Sequence, residues 1–237
     1  MENPYKKPLL RDSVPPLVRD CVAFHLNTKT MEKPYKIIDN VRHFNYKQTI
    51  YYLYAYGRKK YGNNFRIHKE DLPVIRKLIY YIIHEEEKCK EHNIDLNKGI
   101  LLTGPIGCGK TSWMNLIQIL GFQEKYFQVK STRDIAFEFN RDGYQTINTY
   151  GKAHRTFCLD DLGVEQNIKF FGNECNTIAE VLLHRYNLMT NHKIITHATT
   201  NLKASELEEL YGNRVRSRLR SMFNLISFPK STLDKRK

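Results

Sequence analysis

The stretch GILLTGPIGCGKTSWMNLIQIL, residues 99–120, constrains this chain more than any other. A short apolar run of strand type leads directly into Gly104-x-x-x-x-Gly109-Lys110-Thr111, and a helical pattern follows at once, which is the context a phosphate-binding loop requires. Glycines let successive backbone N–H groups close around a phosphate at a helix N-terminus, where the helix dipole also favours negative charge. Gly104, Pro105, Ile106, Gly107, Cys108, Gly109, Lys110, Thr111 and Ser112 are therefore the candidate nucleotide-binding residues. Lys110 is the charge for the β- and γ-phosphates of ATP, and the Thr111 hydroxyl is a ligand for Mg²⁺.

Such a loop needs a carboxylate to complete its metal site, and RTFCLDDLG (155–163) supplies two at the end of an apolar strand. Asp160 is expected to hold Mg²⁺, and Asp161, one residue on, to orient the attacking water. Read alone, an Asp pair after a strand also fits a turn or a helix cap. In NHKIITHATTNL (191–202), Asn201 is the candidate to touch the γ-phosphate or the water. Its alternative role is to lead into a helix that Ser205 and Glu208 cap as a capping box.

Around these motifs, short β-prone runs at 99–103, 126–130, 156–160, 193–200 and 225–228 alternate with helical stretches, predicting an α/β fold with a mainly parallel sheet. DLPVIRKLIYYIIHEEEKCKEH, from Asp71, has apolar residues at helical spacing and predicts one long amphipathic helix. Residues 1–67 form a basic, aromatic N-terminal segment, with tyrosines at 46, 51, 52, 54 and 56, and residues 68–237 form the ATPase domain.

Net charge is +13, from 38 basic and 25 acidic side chains, which favours a polyanionic partner such as nucleic acid over a plain solvated surface. Between the second and third expected strands, Lys130, Arg133, Arg141, Lys152 and Arg155 interleave with Phe137, Phe139, Tyr144 and Tyr150, a mixture suited to single-stranded DNA if the rings are not core. The polar start and the lack of a long apolar run predict a cytoplasmic protein. Five scattered cysteines without a C-x-x-C pair indicate neither a disulfide framework nor a zinc ribbon.

KGILLTGPIGCGKT, FCLDDLG, LLHRYNLM, KIITHATTNL and YGNRVRSRL follow one another in an order and spacing that resembles bacterial helicase-loader ATPases of the DnaC/IstB type, a branch of the AAA+ superfamily, especially compact members from Bacteroidetes genomes and mobile elements. The resemblance covers about residues 70 to 228. It implies a P-loop α/β fold with a five-stranded parallel sheet in the order 5-1-4-3-2, ATP at the junctions of a homo-oligomer, single-stranded DNA inside it, and a replicative helicase as partner of the N-terminal segment. It also implies that Arg218, in NRVRSRLR (213–220), reaches a neighbour's γ-phosphate, with Arg214 on the same helical stripe and Arg216 and Arg220 on the opposite one. Where the family has a serine–arginine motif after its last strand, this chain has LISFPKSTLDKRK, offering Lys230, Lys235 or Arg236 instead, with no room for a full lid domain. Competing readings are a transposition helper of the IstB kind acting on duplex DNA, and a nucleotide-gated DNA-binding module with negligible turnover.

Overall fold

The structure is a computed structural model that describes residues 33–121, 126–165, 168–170 and 173–236. Residues 1–32 of the basic N-terminal segment, with Cys21, lie outside the described residues. The chain divides into two compact units, one running to Ile94 and including Leu116–Phe122, the other comprising Asp95–Asn115 and Gln123–Lys237.

The first unit contains an antiparallel hairpin of β1 (Tyr35–Ile38) and β2 (Val41–Phe44). Its two-residue turn, Asp39-Asn40, has both residues at positive φ, the turn geometry that matches strand twist. Helix α1 (Tyr46–Tyr61) follows, its first turn capped by the Asn45 side chain, which accepts from the Gln48 N–H at 3.0 Å. The long helix expected from Asp71 is instead two: α2 (Leu72–Ile82) and α3 (Glu86–Glu91). His84, at φ 59°, breaks the run, because a residue in the left-handed region cannot continue a right-handed helix. The apolar period predicted the buried face but carried no sign of that turn.

The second unit holds β3 (Gly99–Thr103), α4 (Lys110–Ile117, its last two residues in the first unit), β4 (Gln128–Ser131), α5 (Thr132–Asp142), α6 (Tyr144–Gly151), β5 (Phe157–Asp160), a small hairpin of β6 (Ile168–Phe170) and β7 (Asn173–Cys175), α7 (Thr177–His192), β8 (Thr196–Thr200), α8 (Ala204–Met222) and β9 (Phe223–Ser227). The five strands outside the two hairpins form one parallel sheet in the order β4-β5-β8-β3-β9. Numbered by sequence within the sheet, that is 5-1-4-3-2 read from the other edge, the order expected for an α/β fold with a phosphate-binding loop. The hairpin β6–β7 was not anticipated.

Strands β3 and β5 are buried along nearly their whole length and read as continuous apolar runs, as central parallel strands do. Strand β8 is different: THATT is polar yet fully buried. Each polar side chain has a bonding partner, so burial is not penalised. The His197 Nδ1 accepts from the Ile100 N–H at 3.1 Å, and the Thr200 hydroxyl donates to the Leu162 carbonyl at 2.7 Å. The expected strand began at Lys193, but that residue sits at φ 59° and ends α7 instead.

Helices α7 and α8 cover one face of the sheet, where Val181, Leu182, Leu207 and Leu219 join Phe157, Leu159 and Ala198 in a single apolar cluster. Arg185 of α7 is buried completely beside this cluster. Its guanidinium donates to the Thr196 hydroxyl (2.7 Å) and to the carbonyls of Ala153 (2.8 Å), Arg155 (2.9 Å) and Ile195 (3.1 Å). Burial pulls its pKa down to about 10. The bonds bind α7 to the segments that enter β5 and β8. Arg185→Ala should therefore cost about 3 kcal/mol or more in denaturant unfolding, since it opens a cavity and strips the partner from several buried carbonyls. A loss below 1 kcal/mol would refute this role.

Candidate nucleotide-binding site

The loop between β3 and α4 takes its shape from backbone conformations that side chains resist. Gly107 and Gly109 lie at φ 79° and 94°. The Lys110 side chain folds back so that its Nζ donates to the Gly104 carbonyl at 3.0 Å and the Pro105 carbonyl at 3.1 Å. Lys110 is thus largely buried, its charge held at the mouth of the loop.

Across from it, at the end of β5, Asp160 accepts from the Thr111 hydroxyl at 2.9 and 3.0 Å and from the Thr199 hydroxyl at 2.7 Å. Burial raises the Asp160 pKa above the ordinary value of 3.8, against the hydrogen bonds from Thr199 and Thr111 that lower it. Thr199 also accepts the Asp161 N–H at 2.8 Å, while the Thr132 hydroxyl donates to the Asp161 carbonyl at 2.8 Å. Asp161 is held by these bonds at φ 58°, an uncommon conformation for a residue with a side chain. A hydroxyl and a carboxylate converging in this way form an oxygen donor set that suits Mg²⁺.

A cavity of about 340 Å³ is lined by Ile106, Gly107, Gly109, Lys110, Thr111 and Ser112 of the loop, by Asp161 and Val164, and by Asn201 and Arg236. Lys110, Thr111, Asp161 and Asn201, chosen from different motifs, thus share one cavity. Asp160 adjoins it through Thr111. Gly104 and Pro105 contribute through their carbonyls, and Cys108 is buried behind the loop. The structure brings Arg236, of the three basic residues considered after the last strand, to the cavity.

Its neighbours explain how. Lys235 donates its N–H to the Gly107 carbonyl at 3.1 Å and its Nζ to the Cys108 carbonyl at 2.9 Å, so the tail lies on the loop. The Asp234 carboxylate packs against Gly107 so tightly that a Cβ there would meet its Oδ1 at 2.0 Å, and Arg236 pairs with the same carboxylate at 2.7 Å. Sequence reasoning missed the Asp234 contact, for which no local pattern exists.

One expectation needs correction. The capping box at Ser205 and Glu208 does not form: α8 begins at Ala204, and the Lys203 N–H donates to the Glu206 carboxylate instead. The helix starts two residues earlier than that box requires, so Ser205 lies inside its first turn and the N–H before the helix is satisfied by Glu206. Arg218 lies away from the cavity, its guanidinium 5.0 Å from the ring centre of Tyr186 on α7. Arg216 and Arg220 line a separate groove of about 730 Å³ beside β9, with Leu225 and Lys230. Of the four rings considered for DNA, Phe139 and Tyr150 are core, whereas Phe137 and Tyr144 are exposed, Phe137 with the Arg133 guanidinium 5.4 Å from its centre. Arg141 is paired with Asp142.

No family model matches the chain, and no curated protein matches it significantly. Among solved structures it is similar to a crystal structure of the DnaC helicase loader, at 20% identity and a TM-score of 0.46 over 69% of this chain and 92% of that one. It is similar also to a primosome component from Streptococcus pyogenes serotype M3 (15% identity, TM-score 0.48, 70% and 83%) and to DnaI (18%, 0.49, 69% and 87%).

Two variants test the site. Lys110→Ala should abolish ATP binding in calorimetry while leaving the fold intact; unchanged affinity in a folded protein would refute the assignment. Asp160→Asn should remove the Mg²⁺ dependence of that affinity. Because burial holds the Asp160 pKa up, its ionised form costs stability as pH rises above about the usual carboxylate range. The Asn variant should accordingly melt higher than the parent at neutral pH without nucleotide, and a lower melting temperature there would refute this cost.

Proposed function

We propose that this chain is an AAA+ ATPase of DNA replication, similar to helicase loaders of the DnaC type, acting in the cytoplasm. It binds ATP with Mg²⁺, hydrolyses it at junctions between copies of itself, and holds single-stranded DNA. The observation that carries this reading is the convergence of the loop lysine, Thr111, the two aspartates and Asn201 at the C-terminal ends of β3, β5 and β8. Ends of parallel strands are where open α/β sheets bind ligands. In this reading Thr111 and Asp160 hold the metal, Asp161 orients the water, and Asn201 touches the γ-phosphate.

Arg218 is the residue that completes the site of a neighbouring copy. Its Nε is buried without a hydrogen-bond partner among the described residues, as is that of Arg216, and the Tyr186 ring lies beside the Arg218 guanidinium, which supports a group whose bonding is finished elsewhere. The exposed pair Arg133 and Phe137 on α5 supports binding to single strands, combining a phosphate contact with a stacking surface. Residues 1–67, which precede the proposed ATPase domain of residues 68–237 in sequence, are proposed as the contact for a replicative helicase.

Phosphate release with and without single-stranded DNA tests the reading. Arg218→Ala should bind ATP almost normally but hydrolyse it roughly 10³-fold or more slowly, because such an arginine neutralises charge that develops in the transition state. Mixing it with Lys110→Ala should restore activity, since one junction then combines an intact loop with an intact arginine. Failure to restore activity in a demonstrated co-assembly would remove the trans role. DNA affinity should fall linearly in log–log form with salt and drop further in Phe137→Ala. Equal affinity for duplex DNA would favour the transposition-helper reading, and bound ATP without phosphate release the nucleotide-gated one.

A further inference from the structure

Behind the cavity, the turn that carries Asp161 runs into Glu165, a buried carboxylate that none of the motif assignments uses. Its Oε2 accepts from the Gly163 N–H at 3.0 Å and its Oε1 from the Tyr211 hydroxyl, which is buried as well. The turn is braced further by the Val164 N–H donating to the Asp161 carbonyl at 3.2 Å. Gly163 lies so close beneath α8 that a Cβ there would meet Leu202 Cδ1 at 2.1 Å and Leu210 Cδ2 at 3.4 Å.

Tyr211 also stands at a break. Gly212, at φ 79° and ψ 162°, is non-helical, so α8 is two helical segments, and Tyr211 is the last residue of the first. The Asn176 Nδ2 donates to the Leu210 carbonyl at 3.1 Å, fixing the end of that segment. All four arginines, Arg214, Arg216, Arg218 and Arg220, belong to the segment after the break. A break of this kind lets the second segment take a direction of its own instead of continuing the axis of the first.

We infer that the Glu165–Tyr211 hydrogen bond is a link by which the conformation of the Asp161 turn sets the orientation of the arginine segment of α8, making Glu165 and Tyr211 positioning residues. An apolar contact would join the two elements at lower desolvation cost, but it fixes no direction; a hydrogen bond between a carboxylate and a phenol does. Burial together with Glu165 drives the Tyr211 pKa far up, so the phenol stays a donor throughout the working pH range. Ligand at the loop touches Asp161, Asp161 is two residues from Gly163, and Gly163 is bonded to the carboxylate that holds Tyr211 next to the break.

The inference rests on the ATP-binding reading above and deepens it. Hydrogen exchange on the full chain, with and without ATP and Mg²⁺, tests it. In the parent protein the ligand should slow exchange both in residues 161–165 and in residues 213–222. In Tyr211→Phe, which keeps the ring and loses the hydroxyl, the first effect should persist and the second be lost. Glu165→Gln, whose amide offers one acceptor where the carboxylate offers two, deprives either the phenol or the Gly163 N–H of its partner, so the second effect should weaken there too. In steady state, Tyr211→Phe should lower kcat roughly ten- to a hundredfold, the scale of a misplaced group, with KM little changed. A change over 213–222 that survives in Tyr211→Phe would overturn the link, and so would a parent protein in which bound ATP leaves that segment untouched. That second outcome decides the matter even if Tyr211→Phe does not fold. Failure of the hydrolysis reading would show separately, as absent phosphate release, because the exchange measurement needs only binding.

Discussion

A carboxylate taken out of water must be paid for by hydrogen bonds, and Asp160 shows where that requirement leads. It stands at the tip of β5, nine-tenths hidden, and its two oxygens collect the hydroxyls of Thr111 and Thr199. One charge thereby ties together the helix after the phosphate loop, the strand that carries the aspartates and the strand that leads to Asn201. Thr199 of β8 is polar for the same reason, whereas Thr196 and His197 serve Arg185 and the Ile100 N–H. A valine at position 199 would suit a buried strand better in isolation, but would leave Asp160 short of one donor and the Asp161 N–H without its acceptor. The polar residues at the C-terminal end of β8 are where the site is, because neutral hydroxyls are what a buried carboxylate and an adjacent loop require.

This explains why some parts were legible in the sequence and others were not. The loop between β3 and α4 was legible because its glycines and lysine sit at fixed offsets within one turn of chain, and the strand before it ends at Thr103 as the apolar run says. The aspartates were legible because they follow a short apolar run. Thr199 was visible only as part of a polar cluster, since its role depends on the pairing of β8 beside β5 rather than on neighbours in sequence. His84 gave no warning because its left-handed conformation interrupts an unbroken apolar period. The contact between Glu165 and Tyr211 spans 46 positions, and nothing local marks either residue.

The tail on the phosphate loop illustrates a further limit. The three basic residues considered after the last strand, Lys230, Lys235 and Arg236, were equally eligible by charge, and what distinguishes them is their anchoring. Lys235 is spent on loop carbonyls, with its ammonium 5.2 Å from the Phe228 ring centre, and Asp234 fills the space beside Gly107. Arg236 is left at the cavity with its charge balanced by Asp234. Composition reveals the number of cations, but the anchors decide which one reaches the cavity.

Arg185 has a consequence for how the molecule can deform. It holds the segments entering β5 and β8 at one end of the sheet, and Asp160 with Thr199 holds the same two strands at the other. Stapled at both ends, β5 and β8 form a plank that can neither shear nor fan without breaking several buried bonds at once. A change of shape in this half of the protein would meet less resistance in the turns beyond the strands and at the break at Gly212 than within these two strands. Stiffness at the middle of the sheet is what would allow a small movement at its rim to keep its size and direction over a distance.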